Sequence, residues 1–315
     1  MSTTVRAARL HQHGAPLVVE EVCLPEPAGD EVYVDLEFGG VNPVDRYVAA
    51  GRVAPDGPLP RTLGGEAAGS VDGRAVLVAG EALGAARDGV WAQGAVVPRT
   101  AVIDLPPGVG TREAAAMGVA GLTAFNCVRA LGEVGPADRV IVLGASGGVG
   151  SMIVALAAHA GATVWGQTGS AAKAAGIIAQ GAERVLVGTA AATAGELARF
   201  APTAAFDPLG GEFTAPLVEA LVARGRLVSF GTSAGPEVTF NLQSLYRKSL
   251  SLLGYAGMLL SREERRSGLE AALGALRDGA LTVRVDEVLA LGEINHAFDR
   301  LAGRGVEGKL LLDLG

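Results

Sequence analysis

The chain has 315 residues, enough for two domains, and 49% are hydrophobic, which excludes disorder as its general state. A net charge of −7 without a basic block excludes nucleic acid as a partner, and two cysteines, Cys23 and Cys127, exclude both a disulfide framework and a four-cysteine zinc site. No apolar leader follows Met1, and no apolar stretch, Ala114–Phe125 included, reaches the roughly 18–20 residues of a membrane span. The expectation is a soluble cytoplasmic protein with no membrane partner.

In chain order, Val5–Leu10, Leu17–Val22 and Glu31–Glu37 are short alternating runs, the last two separated by Pro25, Pro27 and Gly29. Val71–Ala79 and Gly89–Pro98 continue the pattern and predict a β-rich first domain. Thr111–Leu131 is helical in composition, with Thr111 at the N-cap and Glu113 in the first turn, and reads as the passage between domains. From Arg139 the period becomes βαβα. Strands are predicted at Val140–Leu143, Thr163–Trp165, Arg184–Val187, Ala204–Phe206 and Arg226–Phe230, with helices around 148–160, 170–180, 193–199 and 212–223. Gly161, Gly181 and Gly225 stand at helix ends, where a left-handed cap favours glycine. Such alternation implies a parallel sheet. The tail reads as helix Ser261–Arg277, strand Val283–Leu289, helix Glu293–Leu301 and strand Lys309–Leu314, returning to the first domain.

Arg139–Gly150 carries the chemistry. The buried run Val140–Leu143 enters the turn Gly144-Ala-Ser-Gly-Gly-Val-Gly150, and a helix follows. Strand, glycine turn and helix in that order form a cradle for a pyrophosphate, with free N–H groups and the positive helix end facing the anion. The same letters also satisfy the Gly-x-Ser-x-Gly elbow of serine hydrolases at Ser146, and Asp207 and His296 would complete the order serine, acid, histidine. Against that, no His-Gly-Gly-type oxyanion loop precedes Ser146, and the turn runs on through Gly148-Val-Gly150. In 294–301 the apolar stripe of Ile294, Ala297, Phe298 and Leu301 leaves His296 facing solvent. Ser146 is therefore read as a turn residue beside phosphate. No Asp or Glu occurs between Arg139 and Glu183, so the carboxylate that would bind a ribose 2′-hydroxyl is missing. Gln167, Thr168, Ser170 and Lys173 offer hydrogen bonds and charge to a 2′-phosphate, which favours NADPH.

The chain resembles the medium-chain dehydrogenase/reductase superfamily, in its zinc-free quinone oxidoreductase (zeta-crystallin-like) branch. The resemblance covers nearly the whole chain and rests on Val41-Asn-Pro-Val-Asp-Arg-Tyr47, Leu63-Gly-Gly-Glu-Ala-Ala-Gly69, Gly121-Leu-Thr-Ala124, Ala145–Gly150, Val228-Ser-Phe-Gly231 and Glu307-Gly-Lys-Leu-Leu-Leu312. It implies an α/β fold: a GroES-like β-rich catalytic domain (1–118 and 259–315) and a Rossmann domain with a doubly wound parallel sheet (119–258). It implies that NADPH is held by Thr123, Ala145, Gly147, Gly148, Val149, Thr168, Ser170, Lys173, Phe230 and Gly231, and that Asn42, Asp45 and Tyr47 line the cleft near the nicotinamide. The family's tyrosine after the third strand has no counterpart, because Gly188-Thr189 stands there.

Zinc relatives place a cysteine ligand where this chain has Asn42 and a histidine where it has Gly65, and residues 75–100 contain no cysteine, so no metal is expected. His11 and His13 share a strand face at most, without a third ligand. The function implied is hydride transfer from NADPH to a quinone or an α,β-unsaturated carbonyl, with Asn42 or Tyr47 meeting the oxyanion. Enoyl thioester reductases are the alternative, although this chain lacks the tyrosine some of them carry in the segment matching Ala50–Pro55. A non-catalytic NADPH-binding protein is the alternative outside enzymes. Residues 51–64 are read as a substrate-side loop, and the resemblance implies a homodimer.

Overall fold

The computed structural model describes residues 3–303 and 305–315. The chain divides into two units, Met1–Leu122 with Ser261–Arg277 and Val285–Gly315, and Thr123–Leu260 with Asp278–Arg284.

The first unit contains β1 (Thr4–Leu10), β2 (Val18–Cys23), β3 (Glu31–Val41), the short helix α1 (Pro43–Ala49), β4 (Arg61–Thr62), β5 (Glu66–Val71), β6 (Arg74–Ala79), β7 (Gly94–Pro98), β8 (Val102–Asp104) and α2 (Thr111–Ala114). β3 organises its larger sheet. One edge of β3 pairs with β7 along Glu31–Asp35 and then with the last strand of the chain along Phe38–Val41; the other edge pairs with β5. Along β3, Val34 and Leu36 are buried while Asp35 and Glu37 face out, the period-two pattern of a half-buried strand. A bulge at Glu37 shifts the register against β5, and Gly69 sits opposite it. A Cβ at Gly69 would lie 1.9 Å from the Asp35 carbonyl oxygen, so only glycine lets the strands meet there. The stretch Val71–Ala79 turns at Asp72-Gly73, where both residues have positive φ and Val71 pairs with Arg74. Asp-Gly between alternating runs is the sequence sign of that hairpin. Trp91 is fully buried against the backbones of Gly39 and Gly64, and its Nε1 donates to the Gly40 carbonyl at 3.2 Å. His11 and His13 fall beyond the end of β1, not on a strand face.

The passage read as one helix is broken. α2 starts at Gly110 as N-cap, so Thr111 does not cap it; its hydroxyl donates to Glu37 at 2.6 Å. Wider turns at Met117–Gly121 and Cys127–Leu131 flank α3 (Leu122–Asn126).

The second unit runs through β9 (Arg139–Val142), α4 (Gly148–His159), β10 (Thr163–Thr168), α5 (Ala174–Ala179), β11 (Arg184–Val187), α6 (Ala190–Phe200), β12 (Ala204–Asp207), α7 (Thr214–Ala220), β13 (Arg226–Ser229), α8 (Leu242–Arg247) and β14 (Ser251–Gly254). All its strand pairs are parallel, in the order β11-β10-β9-β12-β13-β14. That is the 3-2-1-4-5-6 order of the doubly wound dinucleotide fold, whose direction reverses between β9 and β12. Both strands are buried on both faces, which is why they read as continuous apolar runs. Gly161 and Gly181 have positive φ as expected, but at the third helix end the left-handed residue is Arg224 and not Gly225.

The chain returns to the first unit with α9 (Arg262–Arg277), β15 (Val285–Ala290), α10 (Ile294–Ala302) and β16 (Lys309–Asp313), which joins β15 to β3. Residues 278–284, placed by sequence with the first domain, belong to the second unit.

Candidate active site

In the second unit the turn after β9 is shaped for close approach. Gly144 has φ +56°, and a Cβ at Gly150 would lie 2.3 Å from the Gly144 carbonyl oxygen. Helix α4 therefore starts directly against the turn. Its N-cap is Gly147, no side chain caps it and no acid stands in its first turn, so the N–H groups of Gly148, Val149 and Gly150 lack partners within the helix. An anion such as a pyrophosphate fits this end of a 12-residue helix. Ala145, which occupies a glycine position of the strict motif, is fully buried and its N–H donates to the Gln167 carbonyl at 3.0 Å.

At the carboxyl end of β10, Thr168 Oγ1 lies 3.4 Å from Ser146 Oγ and accepts from the Ser170 N–H at 3.4 Å. The structure thus brings Ser146, Thr168 and Ser170 together, with half-buried Lys173 one turn on. Gln167 has a different task. It is buried, its Oε1 accepts from the Gly144 N–H at 3.3 Å and its Nε2 donates to the Gly188 carbonyl at 2.8 Å, so it ties the turn to the end of β11. Phe230 and Gly231 follow β13 and pack on the next turn: the Phe230 N–H donates to Asp207 O at 3.1 Å, and a Cβ at Gly231 would come within 2.8 Å of Pro208 O. Thr123 lies on α3. Asp207 is fully buried, accepting from Leu209 N, Gly210 N and Thr214 Oγ1 at 2.8, 3.0 and 2.6 Å. Its carboxylate is engaged in shaping that turn, which removes the acid from the hydrolase reading. His296 is exposed on α10.

The first unit holds a buried polar cluster that the sequence revealed only in pieces. Lys309, on β16, is 3% exposed and Glu66, at the start of β5, is 0% exposed. Lys309 Nζ donates to Glu66 Oε1 at 2.9 Å, Asn42 Oδ1 at 2.6 Å and Val41 O at 3.2 Å, which uses all three ammonium hydrogens. Glu66 also accepts from Asn42 Nδ2 at 2.6 Å and, through Oε2, from the Val119 N–H at 2.7 Å. Gly40 and Gly118 leave room for it: a Cβ there would fall 2.3 Å from Oε1 and 2.9 Å from Oε2, respectively. Asn42 is the N-cap position of α1, Pro43 its first residue, and Asp45 Oδ2 accepts from the Asn42 N–H at 2.8 Å. Asn-Pro-x-Asp is a helix-start signal in the sequence itself. Asp45 is buried, and burial first, then the Glu66 charge, push its carboxyl up to about 7 against the opposing Asn42 hydrogen bonds and Lys309 charge. Tyr47, from the same helix, is 41% exposed.

A zinc ion does not fit these residues. Gly65 offers no donor atom, the Asn42 amide is engaged at both ends, and among the described residues no group of three His, Cys, Asp or Glu side chains could hold a metal. His11 pairs with Glu20 at 3.0 Å and His13 with Pro55 O at 3.0 Å.

The sequence pattern of the family described as zinc-binding dehydrogenase matches residues 148–273. A quinone oxidoreductase of Salmonella typhimurium is 31% identical over 326 residues, covering 96% of this chain and 97% of that protein. The structure of Escherichia coli quinone oxidoreductase, solved as a complex with NADPH, superposes with a TM-score of 0.85 at 28% identity, over 99% of this chain and 100% of that one. A probable acrylyl-CoA reductase of E. coli is 27% identical over 306 residues, covering 93% of each chain. The chain belongs to the medium-chain dehydrogenase/reductase superfamily, in its zinc-free quinone oxidoreductase branch, and is an oxidoreductase.

Two predictions follow the buried cluster. Lys309→Met leaves Glu66 charged and unpaired, at a cost of about 3–5 kcal/mol in urea unfolding, and adding Glu66→Gln recovers much of it; strictly additive costs would mean that the two groups do not interact. A carboxyl raised in the folded state stabilises fully below its ordinary value of 3.8, and that stabilisation is lost as pH climbs through about 7. Asp45→Asn keeps an oxygen for the Asn42 N–H and is expected to flatten the decline of melting temperature across that window; an unchanged slope would place the titration elsewhere.

Proposed function

We propose that the protein is an NADPH-dependent, zinc-independent reductase of quinones or of α,β-unsaturated carbonyl compounds. The observation that carries the reading is the uncapped N-terminus of α4, set tight behind β9 by Gly150 and adjoined by an acid-free strand end with Thr168, Ser170 and Lys173. Bound NADPH supplies the hydride. The N–H groups of Gly148, Val149 and Gly150 hold the pyrophosphate, beside Ala145, Ser146 and Gly147. The hydroxyls of Thr168 and Ser170 and the charge of Lys173 hold the 2′-phosphate, where a carboxylate would repel it. Thr123, Phe230 and Gly231 complete the binding set, and Gln167 acts by fixing Gly144.

Of the residues assigned to catalysis, the exposed one is Tyr47. Asn42 is buried with both amide atoms engaged, and Asp45 holds the start of α1. Tyr47 is therefore the group that donates to the oxygen where negative charge develops on the acceptor, and Asn42 and Asp45 position its helix. Tyr47→Phe is expected to lower kcat for enals about 10²-fold with KM for NADPH held; unchanged turnover across enals and quinones would remove Tyr47 from the chemistry. Steady NADPH oxidation with 9,10-phenanthrenequinone tests the whole reading, and silence across quinones, enals and enones would favour a protein that binds NADPH without turnover. The acrylyl-CoA reductase relative favours a second reading, reduction of an enoyl thioester, and preference for acryloyl thioesters over quinones would select it.

A homodimer completes the proposal. β14 ends its sheet with one edge unpaired among the described residues, and Leu242, Tyr246, Leu252, Met258 and Leu259 nearby in sequence are exposed apolar side chains. A free strand edge flanked by apolar groups favours pairing with a second copy. Light scattering should give twice the mass of one chain, and Leu259→Asp with Leu252→Lys should return it to one; a wild-type monomer would refute the dimer.

A further inference from the structure

The segment Asp278–Arg284 runs along α5 within the second unit. Thr282 Oγ1 donates to Gln180 Oε1 at 2.6 Å, just past the helix end, and two residues later the Arg284 guanidinium lies against Gly176. A Cβ at Gly176 would sit 1.6 Å from its Nη1 and 2.6 Å from Cζ. Glycine is disfavoured inside a helix, and this close approach accounts for it here. From Thr282 to Arg284 the segment moves from the carboxyl end of α5 toward its start, where Lys173 stands three residues before Gly176. Lys173 is the N-cap of α5 and has helical backbone angles, so its position relative to Gly176 is that of residues three apart along a helix, which are neighbours on its surface. Lys173 in turn follows closely on the carboxyl end of β10, where Thr168 and Ser170 present hydroxyls and no acid lies between Arg139 and Glu183.

We infer that Arg284 is a second cation, beside Lys173, for the adenosine 2′-phosphate, and so a determinant of the preference for NADPH over NADH. The inference rests on the NADPH reading above. A planar guanidinium matches two phosphate oxygens at once and stays charged, while the ammonium adds a point charge. Gly176, with no side chain, leaves the space that the Arg284 guanidinium occupies.

Dissociation constants of NADPH and NADH, read from nucleotide fluorescence with no acceptor present, test it on the full chain. Arg284→Gln is expected to weaken NADPH about tenfold, the loss of one charge-assisted contact, and to leave NADH unchanged. Arg284→Lys should recover part of the loss, and Gly176→Ala, whose methyl group displaces the guanidinium, should weaken NADPH selectively without lowering the melting temperature. A wild-type preference for NADPH that survives Arg284→Gln, or an equal loss for both nucleotides, would overturn the inference alone. A wild-type protein without preference would overturn the NADPH reading as well.

Discussion

The ion pair of Lys309 and Glu66 is the interaction on which the first unit's site depends. Two charges buried this completely are costly to take out of water, and their attraction offsets that cost only when every remaining donor and acceptor is matched. Here each ammonium hydrogen has an acceptor, and the carboxylate draws donors from Lys309, Asn42 and Val119. Four chain segments must therefore arrive together: the end of β3, the start of β5, the turn at 117–121 and the start of β16. Gly40 and Gly118 are part of the same solution, since a side chain at either would occupy the carboxylate's place. The consequence reaches the helix that follows. The pair holds Asn42, Asn42 begins α1, and α1 carries Tyr47 outward.

The second unit solves a different problem with almost no charge. The turn between β9 and α4 presents backbone N–H groups and a helix end with few side chains, and Gln167 keeps it in place through neutral hydrogen bonds at both ends of its amide. Asp207 does the same for the neighbouring turn after β12. Both residues look like ligand groups in the sequence because they are polar and stand at strand ends. Buried and matched by hydrogen bonds, they set the shape of the turns after β9 and β12.

Much of this was legible from residues alone. The doubly wound unit announces itself because its central strands β9 and β12 are buried on both faces and its helices alternate with the strands, so local composition and tertiary position agree. The Gly144–Gly150 turn is equally local, and the return of the C-terminal strand to the first unit follows from its pattern. Errors arose where a local signal was outweighed by neighbours. Thr111 has the chemistry of an N-cap, yet Glu37 takes its hydroxyl; the helical composition of 111–131 could not show the breaks around Met117 and Cys127; Gly225 looked like a left-handed cap while Arg224 adopts that conformation.

By itself the sequence determined the family, the parallel sheet, the glycine turn before α4 and the lack of an acid beside it, since each is written in contiguous residues. Only the tertiary structure decided that Asn42 is engaged by partners 24 and 267 positions away in sequence, that Asp45 is buried at the start of α1 with the Asn42 N–H, and that Arg284 lies on Gly176. Hydrogen bonds and ion pairs join atoms within about 3 Å whatever their separation along the chain. A motif names the residues that can make them, and the fold selects which of them do.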